Sequence, residues 1–517
     1  MSISRRSFMK GVAGAAATTA ASTLLTSNAV NAASAIPAKG EVRNILLITA
    51  DQLSRHGIGG YGNTEVKTPT IDSLIAKGTK FNSAYTAYPL CGPSRASFWT
   101  GRLPHQNGVH GNNSPNIPST MPTLGQLFSD AGYDAVHFGK QHDFGSLKGF
   151  ECAEQIEIEM EATAAFPVNY DSREDIYAEQ KSVEFLAKKH DKPFIMAVDF
   201  NNPHNICGWV GAFAGEHGDI PGIGPLPPLR NNFENLDDIT NRPKSIQYLC
   251  CGHHRMHQAS HWNDLNYRQY LAAYYHYTKM ADDSITKVLN ALAKSDAADN
   301  TLIVFFSDHG DAMGSHRQVT KMNFFYEEAT NVPFVMTGPG IPSGGDNTDL
   351  VSLCDLLPTL CDYAGIETPV GLYGRSVLPL VAGETPSDWR DAVVSQWYTS
   401  RETTIEPSRM YRTKTHKYTV YQEEGAEELF DLSNDPGERQ NLANDPAHSV
   451  LLAEYRDKFI NYTHEYIDPF KTQAVSIDPQ WRAHKPGYPN HAGDCSLEAY
   501  LKEKAAKLAA EGKTGHS

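Results

Sequence analysis

The chain has 517 residues, with 45 Lys and Arg against 60 Asp and Glu, for a formal net charge of −15. That length allows one large or two moderate domains with ample core. With no block of like charge and no basic stripe, the balance argues against nucleic acid, and any site for an anion must concentrate positive charge locally.

The N-terminus reads Ser4-Arg5-Arg6-Ser7-Phe8-Met9-Lys10, then an Ala/Thr-rich apolar stretch to Leu25, and Val30-Asn31-Ala32-Ala33 offers small residues for cleavage. Paired arginines before an apolar stretch mark a targeting segment, expected over residues 1–32, rather than structure. It is similar to a twin-arginine export signal, with Met9 where Leu is commoner. The protein is therefore expected in the periplasm or otherwise exported. No run elsewhere is long or apolar enough to span a bilayer.

Ile45-Leu46-Leu47-Ile48 reads as a buried strand of a parallel sheet, ending at Thr49-Ala50-Asp51-Gln52. Thr68-Pro69-Thr70 opens a helix that Gly78 closes. In the stretch from Tyr88 to Gly101, Pro93 suits a first helical turn and predicts a helix from Ser94 to Thr100. Cys91 then stands at a helix N-terminus, where free N–H groups and the dipole attract anions. Arg95, four residues on, can return to the same end and grip a tetrahedral oxyanion.

Pro122 to Ala131 reads as a helix, and Asp134 to Phe138 as a second strand ending at Gly139-Lys140-Gln141-His142. Ser172-Arg173-Glu174-Asp175 starts a helix that runs to Leu186. A third strand, Pro193 to Val198, ends near Asn202-Pro203-His204, and a fourth, Leu302 to Phe306, at Ser307-Asp308-His309-Gly310-Asp311. Val332 to Met336 is a fifth. The first four apolar runs each stop just before a polar candidate: Asp51, Lys140, His204 and Asp308. Open α/β sheets place their ligands at such carboxyl ends.

Between His204 and Asp264 lies an irregular insertion rich in Gly, Pro and Asn, including the run from Pro221 to Pro228. Substrate contacts are expected there, because long unstructured stretches in compact domains tend to be functional. Asp264 to Ala293 reads as a long helix. After about Ala392 the pattern turns to antiparallel strands, at Arg409 to Arg412 and Lys417 to Tyr421. The charged tail from Leu497 to Gly512 reads as a surface helix. The expected fold is α/β: a large mixed, mostly parallel sheet sandwiched by helices, with a smaller C-terminal α+β subdomain built on an antiparallel sheet. The expected division is a catalytic domain over residues 33–392, with the insertion near 205–263, and a C-terminal subdomain and tail over 393–517.

Cys91-Gly92-Pro93-Ser94-Arg95, followed five residues later by Thr100-Gly101, resembles the signature of the type I sulfatases of the alkaline-phosphatase-like superfamily. In that family the cysteine is oxidised to formylglycine, made here from Cys91, and a hydroxyl of its hydrate is the nucleophile. The resemblance places Asp51, Gln52, Asp308 and His309 at metal-ligand positions. Three of them offer oxygens, which suits a hard cation, Ca²⁺ before Mg²⁺. The family often has Asp where Gln52 stands and Asn where His309 stands. Both residues here can be neutral, so the protein supplies two negative charges to the ion.

Arg95, Lys140 and Lys321 match the family's sulfate-binding cations, His142 its Lys-x-His and His204 its Pro-His. The implied reaction has the nucleophile, polarised by Asp308, attack sulfur in line while His204, helped by Lys321, protonates the leaving oxygen. His142 then helps collapse the bound sulfate hemiacetal, regenerating the aldehyde. Histidine suits such work because its pKa lies near neutrality. The segment from Ser307 through Gly314-Ser315-His316, Lys321 and Tyr326-Glu327-Glu328 to Val332-Pro333 also matches, so His316 is expected to line the site. His105 and His110 are candidates for the pocket rim. Asn331 stands where many relatives carry Arg. Glu428 to Leu432, Asn434-Asp435-Pro436 and Asn441-Leu442 resemble the C-terminal subdomain. The resemblance covers about residues 42–445, with 205–263 poorly matched.

Of eight cysteines, Cys354 and Cys361 read as core positions on one helix face. Cys250-Cys251-Gly252-His253-His254 with His257 and His261 is rich in ligand atoms, but its spacing fits no usual zinc pattern and favours a substrate-side loop or a surface turn. The leading expectation is an exported sulfuric ester hydrolase acting on a sulfated small molecule or glycan, with a carbohydrate favoured, and matured by a formylglycine-generating enzyme. A phosphonate monoester or phosphodiester hydrolase of the same superfamily is the alternative. From another class, a protein that only binds sulfated glycan would keep Cys91 unmodified.

Overall fold

The computed structural model describes residues 43–152, 173–212, 225–233, 242–243, 245–247, 249, 253–260, 262–398, 407–422 and 425–471. The targeting segment, the first part of the Gly/Pro run at 221–224, residues 250–252 and 261 of the Cys/His cluster, Ser172 and the charged tail lie outside them.

Fourteen strands are present among these residues: β1 Asn44–Ala50, β2 Thr79–Phe81, β3 Ala84–Tyr85, β4 Asp134–Gly139, β5 Glu151–Cys152, β6 Phe194–Phe200, β7 Thr301–Phe306, β8 Phe334–Thr337, β9 Gly345–Asn347, β10 Val351–Ser352, β11 Ala392–Trp397, β12 Ser408–Thr413, β13 His416–Tyr421 and β14 Glu427–Asp431. Eight of them make one sheet in the order β5-β4-β6-β1-β7-β8-β2-β9. The neighbours β4, β6, β1 and β7 are all parallel, whereas β8 runs antiparallel to both β7 and β2. The sheet is thus mixed and mostly parallel, as expected. β1 and β6 are apolar along nearly their whole length because a central parallel strand is covered on both faces.

Alternation along β1 feeds two cores. Ile45 and Leu47 join Phe98 and Trp99 of the helix Cys91–Thr100, with Leu356, Leu357 and Leu360 of the helix Leu356–Ala364. Leu46 and Ile48 join Ala178 of the helix Arg173–Leu186 and Ile285 and Val288 of the helix Asp264–Leu292. The helix Cys91–Thr100 is buried at every position. Phe98 meets Trp99 and Phe306 edge-on, contacts each worth about 0.5–1.5 kcal/mol beyond area burial. Gly101 ends this helix in the left-handed region, a conformation glycine adopts without penalty.

The second sheet is an antiparallel meander, β11-β12-β13-β14. Tyr418 and Leu429 from it pack with Tyr455 and Phe459 of the helix Ser449–Glu465. No helix among the described residues is long and apolar enough to cross a membrane.

Two expectations change. The insertion is not wholly irregular: Ile206–Ala212 and His254–Ser260 are helices, because Trp209, Val210 and Met256 have apolar partners in Trp262 and Tyr270. Cys354 and Cys361 are both buried but do not share a helix face. Cys354 lies in the 3-10 turn Leu353–Asp355 ahead of the helix and packs toward Tyr373 and Tyr418, whereas Cys361 packs into the core beneath the large sheet. These two, with Cys91, Cys152 and Cys207, are free thiols.

Candidate active site

Because β4, β6, β1 and β7 are adjacent and parallel, their carboxyl ends open on one edge. Lys140 follows β4, Asn201 and His204 follow β6, Asp51 and Gln52 follow β1, and Asp308 and His309 follow β7. A sharp turn is needed to send Lys140 inward, and Gly139 supplies it at φ 98°. A Cβ there would lie 2.1 Å from the Asp199 carbonyl oxygen.

The helix Cys91–Thr100 points its first residue into this edge. Cys91 Sγ lies 2.9 Å from Lys321 Nζ, 3.2 Å from His309 Nε2 and 3.7 Å from Asp51 Oδ1. His142 and His204 also stand near enough to the thiol to act on its charge. Burial alone would raise the thiol's pKa, but Lys321, Lys140 and His309 outweigh it and pull the group well below its ordinary value. Burial, then Lys140 and Lys321, hold His204 down to about 3. Its imidazole is neutral at pH 7 while no anion sits between those lysines.

Asp51 is the hub. It is fully buried and binds Lys140 Nζ at 2.8 Å, Arg95 Nη2 at 3.2 Å and Lys321 Nζ at 3.7 Å. Burial and the Cys91 charge would raise its pKa, yet Lys140, Lys321 and His204 hold it far below the usual carboxylate range. Lys140 also donates to Asn201 Oδ1 at 3.1 Å.

Arg95 corrects the expectation drawn from the helix alone. Its guanidinium does return to the helix start, but carboxylates from three strand ends engage it there. Nε faces Asp308 at 3.2 Å, Nη1 faces Asp199 at 3.3 Å and Nη2 faces Asp51. Fully buried, it fixes those acids rather than presenting itself to an anion. Asp199 in turn accepts from His137 Nε2 at 2.6 Å. Lys140 and Lys321 are the cations that face the thiol.

One ligand atom each from Asp51, Cys91, Asp308 and His309 lies within 4.8 Å of all the others. The arrangement fits a divalent cation. Among the described residues, none donates a hydrogen bond to the buried Asp308 Oδ2. Burial and the neighbouring Asp51 charge raise Asp308 to about 6, against the pull of His309 and Arg95. His309 Nδ1 donates to the Gly310 carbonyl at 2.8 Å, which leaves Nε2 as the ring atom able to donate a lone pair. Gln52 lies alongside: Nε2 donates to Asp311 Oδ2 at 2.6 Å, and Oε1 receives Cys207 Sγ at 3.3 Å.

Two further expectations are corrected. His105 is not on the pocket rim. Its Nδ1 accepts from Gln396 Nε2 at 2.8 Å and its Nε2 donates to the Tyr466 carbonyl at 3.0 Å. It therefore ties the C-terminal part of the chain to the catalytic part. His105→Ala is expected to leave kcat and KM within about twofold while lowering stability by about 1–3 kcal/mol, the cost of two lost hydrogen bonds. A denaturant titration beside steady-state kinetics checks both. His110 stacks on Tyr398 with ring centroids 3.9 Å apart. His316 is engaged by neighbouring side chains. It is 1% exposed, accepts from Arg242 Nη2 at 2.8 Å and lies over Tyr326.

His316, Glu328 and Glu438 also converge, as metal ligands can. The protein's own cations already serve them: Arg230 reaches Glu328 at 3.0 Å and Lys417 reaches Glu438 at 2.8 Å. Asn331, where an arginine was expected from relatives, donates to Glu327 at 2.9 Å. The cations for that acid come instead from the C-terminal sheet, from Arg412 at 3.6 Å and Lys417 at 2.9 Å.

Sequence reasoning passed over Asp199, Asn201 and Asp311. Asp199 had a readable signal, an acid inside an otherwise apolar strand. Asn201 and Asp311 had none beyond proximity to a strand end.

A family model described as Sulfatase matches residues 43–366, and one described as N-sulphoglucosamine sulphohydrolase, C-terminal, matches residues 314–465. A Delta 4,5-hexuronate-2-O-sulfatase of Bacteroides thetaiotaomicron is 45% identical over 471 residues, covering 90% of this chain and 97% of that protein. The solved structure of a 2-O GAG sulfatase aligns with TM-score 0.81 and 46% identity, over 88% of this chain and 99% of that one. A phosphonate monoester hydrolase of Agrobacterium radiobacter aligns with TM-score 0.69 and 23% identity, over 83% and 97% of the two chains, a likeness of fold alone.

Proposed function

Because the chain belongs to the sulfatase family, we propose that it hydrolyses the 2-O-sulfate ester of a Δ4,5-unsaturated hexuronate at the end of a glycosaminoglycan fragment. The observation that carries this reading is the setting of Cys91: a helix start aimed at Lys321 and His309, with Asp51 and Lys140 behind. The substrate class comes from the relative that is 45% identical over nearly its whole length.

Position 91 acts as formylglycine, whose hydrate supplies the nucleophilic hydroxyl, and a maturation enzyme oxidises the cysteine. Asp51, Asp308 and His309, with Gln52 Oε1, would hold Ca²⁺, which would supply positive charge for the ester oxygens. The chain's own groups do the rest. Lys140 and Lys321 bind the sulfate, and such preorganised cations are worth about 3–4 kcal/mol of barrier each by analogy with oxyanion-hole donors. Arg95 keeps Asp51 and Asp308 in place. The anionic ester, lying between the two lysines, offsets the charge that holds His204 deprotonated. His204 can then carry a proton at Nε2 or Nδ1 and give it to the departing sugar oxygen. His142, beside residue 91, takes the proton when the sulfate is released. The protein acts after twin-arginine export, in the periplasm.

The test is sulfate release by matured protein from a set of defined disaccharides. Release from the 2-O-sulfated unsaturated uronate is expected at least about 10³-fold faster than from 6-O-sulfated N-acetylglucosamine, since a misplaced ester loses near-attack geometry. Faster cleavage of a phosphonate monoester than of any sulfate ester would favour the other hydrolase reading. Sulfated-disaccharide binding with no release, by protein whose Cys91 peptide keeps its thiol mass, would favour the binding-protein reading.

A further inference from the structure

We propose that Asp311 is a positioning residue that fixes the side-chain amide of Gln52, and that an amide rather than an acid stands at 52 because Asp311 stands beside it. The proposal rests on the reading of this edge as a cation site, but the pairing itself can be read without the cation.

The hydrogen-bond directions leave one assignment. The Asp311 Oδ1 atom accepts the Met313 backbone N–H at 2.8 Å and the Tyr270 hydroxyl. Tyr270's oxygen already accepts the Thr320 N–H at 2.8 Å, so its single proton goes to Asp311. Every such neighbour of Asp311 is a donor, and the carboxylate serves only as acceptor. Its Oδ2 therefore requires a donor as well, and Gln52 Nε2 provides it at 2.6 Å. That contact settles which end of the amide is which. Oε1 is left on the opposite side, where Cys207 Sγ lies 3.3 Å away and at least one lone pair remains for a cation.

The backbone of Gln52 is held as firmly. It sits at φ 68°, a left-handed conformation that a non-glycine residue adopts only when its surroundings impose it. Its N–H donates to Asp308 Oδ1 at 3.0 Å, and its carbonyl accepts the Tyr274 hydroxyl at 2.8 Å. Gln52, Asp311, Tyr270 and Tyr274 are fully buried. Water is not at hand to replace a lost partner.

A glutamine can donate on one side and offer an oxygen on the other. A carboxylate at 52 could do only the second, and it would face the Asp311 carboxylate at hydrogen-bond distance. Exchanging the two groups should work: Gln52→Glu with Asp311→Asn puts the amide at 311, where Oδ1 still accepts from Met313 and Tyr270 and Nδ2 donates to the new carboxylate.

The experiment compares wild type, Gln52→Glu, Asp311→Asn and the double variant, all as full-length protein. Melting midpoints are taken in EDTA and across a Ca²⁺ titration. Each single variant is expected to melt lower in EDTA and to need at least about tenfold more Ca²⁺ for half its thermal shift. The double variant is expected to recover both to within about threefold of wild type in Ca²⁺ requirement. A double variant whose losses are the sum of the singles overturns the proposal, and so does a Gln52→Glu protein indistinguishable from wild type. If a single variant does not fold, a folded double variant still supports the pairing and an unfolded one overturns it. Recovery in EDTA with no Ca²⁺ response in any protein, wild type included, keeps the pairing and removes the cation reading.

Discussion

Cys91→Ala is expected to slow sulfate release by roughly 10⁴–10⁶-fold, the scale seen when an enzyme loses its nucleophile. No neighbour can take over. The groups around Cys91 Sγ are three histidines, two lysines and a carboxylate that the lysines hold ionised. The fold should tolerate the change, since the helix Cys91–Thr100 gains a good helix former at its first position and loses no hydrogen bond that its backbone needs. Single-turnover measurements on the 2-O-sulfated disaccharide, beside a melting curve, separate the two effects. Activity within tenfold of wild type would remove residue 91 from the chemistry.

Asp51→Asn is expected to be nearly as damaging for a different reason. The side chain keeps its shape but leaves Arg95, Lys140 and Lys321 around a neutral amide. Breaking a buried ion cluster on one side costs about 3–5 kcal/mol, because the stranded charges stay in low dielectric. Activity should fall at least about 10³-fold together with the response to Ca²⁺. The pH dependence has a definite sign. Asp51's pKa is lowered in the folded protein, so its stabilisation is fully present above about pH 4, where the unfolded chain's aspartates are ionised. It is lost only as pH falls toward the depressed folded value. The stability gap between wild type and Asp51→Asn should therefore be constant from pH 5 to 8 and close in stronger acid. A gap that widens on acidification contradicts the assignment.

The sequence exposed the sheet because buried parallel strands leave apolar runs with polar residues at their carboxyl ends. Asp51, Lys140, His204 and Asp308 could be read that way, and β4, β6, β1 and β7 do bring them to one edge. Periodicity says where a chain turns, but not which side chain from a distant strand will meet it. Arg95 shows the limit: its return to the helix start follows from the four-residue spacing, while the three acids awaiting it come from other strands. His105 and His316 show another. A histidine near a motif looks the same whether it faces a ligand or, as here, Gln396 or Arg242. Asp311 was legible only as one more acid in a polar loop, since its meaning depends on the partners that Tyr270 and Gln52 bring to it.

The strand order carries a kinetic consequence. The strand starting at Asn44 cannot be paired on both edges until Ala197 and Val304, far later in the chain, have been made and brought home. Its closest companions in space are therefore among its most remote along the chain, and loops of that size close slowly. Refolding should be sluggish, with catalytic competence arriving only in its last phase. A nascent chain that stops short of β7 would hold Cys91, Arg95, Lys140 and their partner Asp51, but not yet Asp308, His309 or Lys321.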